Sequence, residues 1–216
     1  VLLSIHKKPG NAVLGDKFVT LYGPGHLEDT LCGLQFRLSP RSFYQVHHAQ
    51  AEQLYEGALQ MAELTGQERA VDLYCGTGTI SLVLAKRVKE VIGVEIIEAA
   101  VADAWENARR NGIQNAAFRC ADASKAAQDL AEEGKKPDVI VVDPPRKGVD
   151  EQVVEAMAEM APEKIVYISC DPATLARDVK RLGERGYALK KVRAYDMFPR
   201  CAHVETAAVL QKKAPL

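Results

Sequence analysis

Cysteines stand at 32, 75, 120, 170 and 201, and Cys170 has the surroundings that best suit a nucleophile. It lies in Ser169-Cys170-Asp171-Pro172, directly after the apolar run KIVYIS and before a stretch with helical spacing. Asp171 and Pro172 read as cap and first position of that helix, whose amino terminus should lower the pKa of the thiol. The alternative, a small core residue, is the reading kept for Cys32 and Cys120. A second stiffened loop, Asp143-Pro144-Pro145-Arg146-Lys147-Gly148, follows another apolar run. Prolines directly after a strand fix the chain, and two such loops on one edge of a sheet can face one pocket. Near the carboxyl end, Arg200-Cys201-Ala202-His203-Val204-Glu205 enters the last strand. Residues 203 and 205 would share a face of that strand, placing two proton-handling groups at its mouth. Plain surface charge is the competing reading.

A separate constellation suits a nucleoside. Asp72-Leu-Tyr-Cys-Gly-Thr-Gly-Thr79 follows a strand and opens a helix. Gly76 and Gly78 let the backbone turn tightly and approach a ligand. Glu95, at the tip of the next strand, is placed to accept both ribose hydroxyls. A dinucleotide fingerprint would want a third glycine where Ser81 stands. Asp72 also suits a sulfonium cation better than a pyrophosphate, so S-adenosylmethionine is expected here rather than a nicotinamide cofactor. Asp122, after the third strand, is placed to meet an adenine amino group or, equally, to cap the next helix. Cys75, inside the turn, is expected to pack.

The elements that must position these groups follow from periodicity. Residues 1 to about 45 carry short, partly alternating runs (VLLSIHKK, KFVTLYG, LQFRLS) separated by PGN and GPG turns, as antiparallel strands do. From His48 an amphipathic helix runs to near Gly66. Strands at 69–74, 90–96, 116–120, 137–143 and 164–170 then alternate with helices, so a parallel sheet covered on both faces is expected. PDVIVVD (137–143), the most continuously apolar, should be central. YALKKVRAYDMF and HVETAAVLQ have no helix between them and should pair antiparallel. The expected fold is α/β, a doubly wound, mostly parallel seven-stranded sheet with a small amino-terminal antiparallel β appendage. Residues 1–45 are read as the appended segment, a remnant of a central or RNA-binding domain, and 46–216 as the catalytic domain.

Composition narrows the setting. With 28 basic and 29 acidic residues the formal charge is −1, which gives no general support to a nucleic-acid partner. The first residue is Val, and the chain is read as a fragment of a longer protein. No Cys-x-x-Cys pair occurs, so no zinc or iron–sulfur site is expected from this chain alone. No membrane span or signal pattern is seen. A reducing, cytoplasmic setting and a monomer are expected.

Taken together, SFYQV (42–46), DLYCGTG (72–78), DPPRKG (143–148), SCDP (169–172) and HVE (203–205) resemble the RNA uracil-5-methyltransferase family. MFPRCAHVE looks most like its 23S ribosomal RNA branch; a transfer-RNA branch is the alternative. The resemblance implies a class I methyltransferase fold with Gln45, Tyr74, Glu95 and Asp143 holding S-adenosylmethionine, Cys170 as nucleophile and Glu205 as base. It departs at His47, where members often have Asn. Arg146, Lys147, Arg177, Lys180 and Arg181 are candidates for phosphate contacts or for solvated surface. An amino-group methyltransferase on adenine or guanine can share the fold and the Asp-Pro-Pro loop. It needs no cysteine, and usually has an aromatic residue where Arg146 stands.

Overall fold

The computed structural model describes residues 1–6, 14, 15 and 17–214. Two small antiparallel sheets come first. β1 (Leu2–Ile5) pairs with β2 (Lys17–Thr20), and β3 (Leu27–Leu31) pairs with β4 (Leu34–Leu38). The first expected run extends over residues 7 and 8, which lie outside the described residues, as does the PGN turn. β3 was not among the expected strands, because Glu28, Asp29 and Thr30 are polar and exposed and only Leu31 is buried. Its hairpin closes through Cys32 (φ 51°) and Gly33 (φ 71°), two consecutive left-handed residues that match the twist of the flanking strands.

Helix α1 (His48–Met61) leads into the main sheet. There β5 (Arg69–Leu73), α2 (Thr79–Ala85), β6 (Glu90–Glu95), α3 (Glu98–Arg110), β7 (Ala116–Cys120) and α4 (Ala123–Glu132) follow one another. β8 (Val139–Val142), α5 (Glu151–Met160), β9 (Lys164–Ser169), α6 (Pro172–Glu184), β10 (Tyr187–Tyr195) and β11 (Glu205–Lys212) complete the chain. The strand order is β10-β11-β9-β8-β5-β6-β7, with β8 central as its sequence requires. β11 runs antiparallel to both β9 and β10, while β9, β8, β5, β6 and β7 are parallel.

Both faces are covered. Val139 and Val141 of β8 join the core under α1, α2 and α3, whereas Ile140 and Val142 join the core under α4, α5 and α6. Such double burial is why these strands read as continuous apolar runs. Leu31, Leu34, Phe36 and Leu38 of the second hairpin belong to the first of these cores.

That hairpin is also pinned by α3. Asn111 Oδ1 accepts from Gln35 N (2.8 Å), Asn107 Oδ1 from Arg37 N (2.7 Å) and Asp103 Oδ2 from Ser39 N (3.1 Å). Four helical residues rise about 6 Å and two strand residues about 6.8 Å, so the side chains meet alternate strand amides. The edge of β4 is thereby closed by a helix instead of a strand.

The order of the sheet reverses between β5 and β8. Loops after these two strands flank a crevice at their carboxyl ends, where folds of this type bind ligands. The glycine loop leaves β5 and the Asp-Pro-Pro loop leaves β8.

Candidate active site

β5 stops at Leu73, one residue earlier than expected, because Tyr74 turns to φ 69°. Gly76 (54°) and Gly78 (82°) share that left-handed region, which costs glycine nothing and strains a tyrosine. A Cβ on Gly78 would sit 3.1 Å from the Ala104 Cβ and 3.2 Å from the Phe118 ring, so the glycine lets the loop press on α3 and β7. Glu95 holds the loop: its Oε2 accepts from Gly76 N (3.1 Å) and its Oε1 from Ile97 N (2.9 Å). Each carboxylate oxygen has a second lone pair left for a ligand hydroxyl.

Asp72 lies within β5. It is fully buried, accepts from Ser81 Oγ at 2.5 Å, and its Oδ1 has no partner. Burial, reinforced by the charge of Glu95, pushes its carboxyl up to about 7. Desolvation thus opposes its negative charge, and a nearby cation would favour it. Ser81, where a dinucleotide site would have glycine, is the residue that satisfies it. Asp122 is the N-cap of α4 and accepts from Ser124 N and Lys125 N through Oδ1. It also lies near Tyr74, whose phenol is pushed up to about 12 by burial and then by Asp150, Asp122 and Asp178. Gln45 is buried in the segment between β4 and α1. The orphaned Asp72 oxygen, the strained Tyr74 and the glycine cradle fit a polar nucleoside ligand such as S-adenosylmethionine.

Three strand ends meet at the second part of the site. Cys170 follows β9 directly and is half-buried. Its thiol is pushed up, first by burial and then by the charges of Glu205 and Asp143, against the lowering effect of Arg146. The backbone still lowers the thiol as expected at the start of a helix, but burial and the two carboxyl groups outweigh it. Asp171 already takes the Ala173 and Thr174 amides at 2.8 and 3.1 Å, and two carboxyl groups stand close by. Glu205 is 4% exposed, and burial raises its pKa while Arg146 lowers it. Asp143 is pushed up to about 8 by burial, then by Glu205 and Asp72. Four groups from the ends of β8, β9 and β11 therefore act on one another electrostatically.

His203 does not share a strand face with Glu205. The β10–β11 ladder ends at Tyr195–Glu205, so His203 lies exposed in the preceding loop. With Arg146, Met197, Phe198, Val46 and His47 it lines a cavity of about 750 Å³, within the range of a small-molecule or single-base site. Arg177 and Arg181 are engaged by the buried Asp178, at 2.9 and 3.3 Å. Lys147 pairs with Asp150 at 3.1 Å. The importance of Asp178 was missed because one acid among arginines reads as a solvated helix face. Among the described residues no cluster of three or more His, Cys, Asp or Glu is arranged to hold a metal, and no helix is long and apolar enough to cross a membrane.

Known proteins are similar to this chain in sequence and fold. The tRNA (uracil-5-)-methyltransferase family matches residues 27–213. A Listeria innocua protein named an uncharacterized RNA methyltransferase is 47% identical over 213 residues, 99% of this chain and 47% of its own length. A Streptococcus mutans protein of the same name is 49% identical over 98% of this chain and 47% of its own. The chain thus spans about half the length of these curated relatives. Among solved structures, the Pyrococcus abyssi tRNA (uracil-54, C5)-methyltransferase in complex with S-adenosyl-L-homocysteine superposes with a TM-score of 0.81. It is 32% identical, with 96% of this chain and 49% of that chain covered. An Agrobacterium tumefaciens SAM-dependent methyltransferase, 18% identical with a TM-score of 0.67 over 91% of this chain and 74% of that one, shares the fold alone. By fold, by motif order and by identity across nearly its whole length, this chain belongs to the tRNA (uracil-5-)-methyltransferase family.

Proposed function

We propose that the chain methylates carbon 5 of a uridine in RNA, using S-adenosylmethionine and a covalent bond from Cys170. The observation that carries this reading is the meeting of Cys170, Glu205, Asp143 and Arg146 beside the glycine loop. Uracil carbon 5 is too weak a nucleophile to be alkylated unaided. The Cys170 thiolate adds to carbon 6, and the carbon 5–carbon 6 π electrons move toward the carbonyl oxygen at carbon 4, leaving an enolate. Arg146, exposed at the cavity and next to Cys170, is the cation available to favour the thiolate and the developing oxyanion. S-adenosylmethionine, when bound, supplies the electrophilic methyl group for carbon 5. Glu205 then removes the proton left on carbon 5, and the returning electrons expel the thiolate and restore the double bond. Gln45, Tyr74, Gly76, Gly78, Glu95, Asp122 and Asp143 are assigned to the cofactor. The base must leave its stack to reach Cys170.

For the substrate we favour 23S ribosomal RNA, on the MFPRCAHVE segment that forms the cavity rim. The likeness to the Pyrococcus abyssi tRNA enzyme supports transfer RNA as the second reading. Ribosomal and transfer RNA transcripts containing 5-fluorouridine separate the two, because the fluorine cannot leave carbon 5 as a proton does and the adduct is trapped. A denaturation-resistant adduct with ribosomal RNA alone is the expected result. An adduct with transfer RNA alone selects the second reading, and methylation without any adduct rejects the covalent route.

A further inference from the structure

Asp178 is a carboxylate with no exposed surface, and a buried charge persists only where donors compensate it. Its Oδ2 accepts from Tyr167 Oη (2.7 Å), Val149 N (3.0 Å) and Arg177 Nη2 (3.1 Å). Its Oδ1 accepts from Arg177 Nε (2.9 Å) and Arg181 Nη1 (3.3 Å). One side chain of α6 thereby joins the interior of β9 to the loop that leaves β8.

That loop is the one carrying Arg146. Gly148 N donates to Pro145 O at 2.8 Å, closing a turn with Arg146 and Lys147 at its tip. Arg177 Nη2 donates to Lys147 O at 2.7 Å, holding the tip from the same side. The fit around Asp178 is tight, since a Cβ on Gly148 (φ 75°) would lie 2.3 Å from Asp178 Oδ2 and 2.5 Å from Arg177 Nη2. α6 also begins two residues after Cys170. Asp178 thus fastens the element behind Cys170 to the turn that presents Arg146.

We propose that Asp178 is a positioning residue that sets Arg146 against Cys170, acting through the backbone of Lys147, Gly148 and Val149. This rests on the reading of Cys170 as nucleophile. Its neutralisation removes a negative charge, so a purely electrostatic effect on the thiol would ease its ionisation. Loss of Arg146 from its place would do the opposite, and the two effects differ in sign.

The test compares the full chain with its Asp178→Asn, Tyr167→Phe, Arg146→Ala and Asp178→Asn/Arg146→Ala variants. Iodoacetamide labelling of the Cys170 peptide, followed by mass spectrometry across pH, reads thiol ionisation without any RNA. Adduct formation with 5-fluorouridine-containing RNA reads the reaction. Asp178→Asn should move the labelling curve to higher pH and slow adduct formation about tenfold, the scale of one coupled contact. Arg146→Ala should do the same, and the double variant should fall no further. Tyr167→Phe keeps the charge and loses one donor, so it should show a smaller change in the same direction, and it carries the test if Asp178→Asn does not fold. A labelling curve unmoved or shifted to lower pH, or additive losses in the double variant, overturns the proposal. Failure of the unaltered chain to form any adduct rejects the covalent reading instead, while the labelling curves still decide the positioning.

Discussion

Glu205 stands opposite Cys170 across the end of the β9–β11 ladder, one rung beyond the Thr206–Ser169 pair. On its other side Glu205 pairs with Tyr195 of β10. The antiparallel insertion of β11 between β9 and β10 therefore brings a carboxyl group from residue 205 beside a thiol from residue 170. A wholly parallel sheet would have put the start of that strand at the opposite edge, away from the β5 and β8 loops.

The electrostatics of that meeting can be tested through stability. Asp143 has an ordinary pKa near 3.8 when unfolded and is pushed up to about 8 when folded. The folded chain then binds the extra proton between these values, and stability falls as pH rises through that window. Asp143→Asn removes the cost of ionisation, so without cofactor it should raise the melting temperature more at pH 9 than at pH 5. Thermal melts showing the same change at both pH values would mean that the carboxyl is not raised.

Glu95 ties the glycine loop and is assigned the ribose hydroxyls. Glu95→Ala should weaken S-adenosylmethionine binding by about 1.5–3 kcal/mol, the range for charge-assisted hydrogen bonds. Titration calorimetry on the folded variant reads this directly, and unchanged affinity would remove Glu95 from the site.

Asn107 links the β3–β4 hairpin to the glycine loop. It is fully buried, accepts from Arg37 N and donates to Arg37 O and to Thr77 O at 3.1 Å. Asn107→Ala leaves those groups unsatisfied and should cost about 1–3 kcal/mol in urea unfolding. A variant as stable as the parent would show that Asn107 adds nothing to the hold of the apolar face, Asn111 and Asp103 on the hairpin.

Much of the parallel sheet was legible because strands buried on both faces carry unbroken apolar runs, as at 139–142 and 165–168. β3 was not legible, since its exposed Glu28, Asp29 and Thr30 resemble a loop and only pairing with β4 makes them a strand. In the candidate site, the local motifs single out Cys170 and Glu205, and the strand order brings the two together. The motifs do not give the direction of the Cys170 shift. It depends on carboxyl groups 27 residues before and 35 residues after it in sequence, brought together only by the order of the strands. His203 went wrong for a related reason: two-residue periodicity holds only inside a strand, and β11 begins at Glu205.

The order of chemical steps separates nucleophile from base. On the proposed route Cys170 acts before methyl transfer, so Cys170→Ala should abolish both product and covalent adduct while leaving cofactor affinity intact. On the same route Glu205 acts after it. Glu205→Gln keeps the side chain's shape and its place opposite Cys170 but cannot take the proton on carbon 5. With unmodified RNA the methylated adduct should therefore accumulate, visible as a shifted band on a denaturing gel with radiolabelled cofactor. His203 is the rival base, an imidazole that can accept a proton, and it lines a cavity from the loop before β11. Its exposure leaves it free to exchange protons with water, whereas Glu205 is buried and its pKa is raised toward that of a useful base. Trapping by Glu205→Gln and turnover by His203→Gln is the expected pair of results. The reverse pair would move the base from the first residue of β11 to the loop that precedes it.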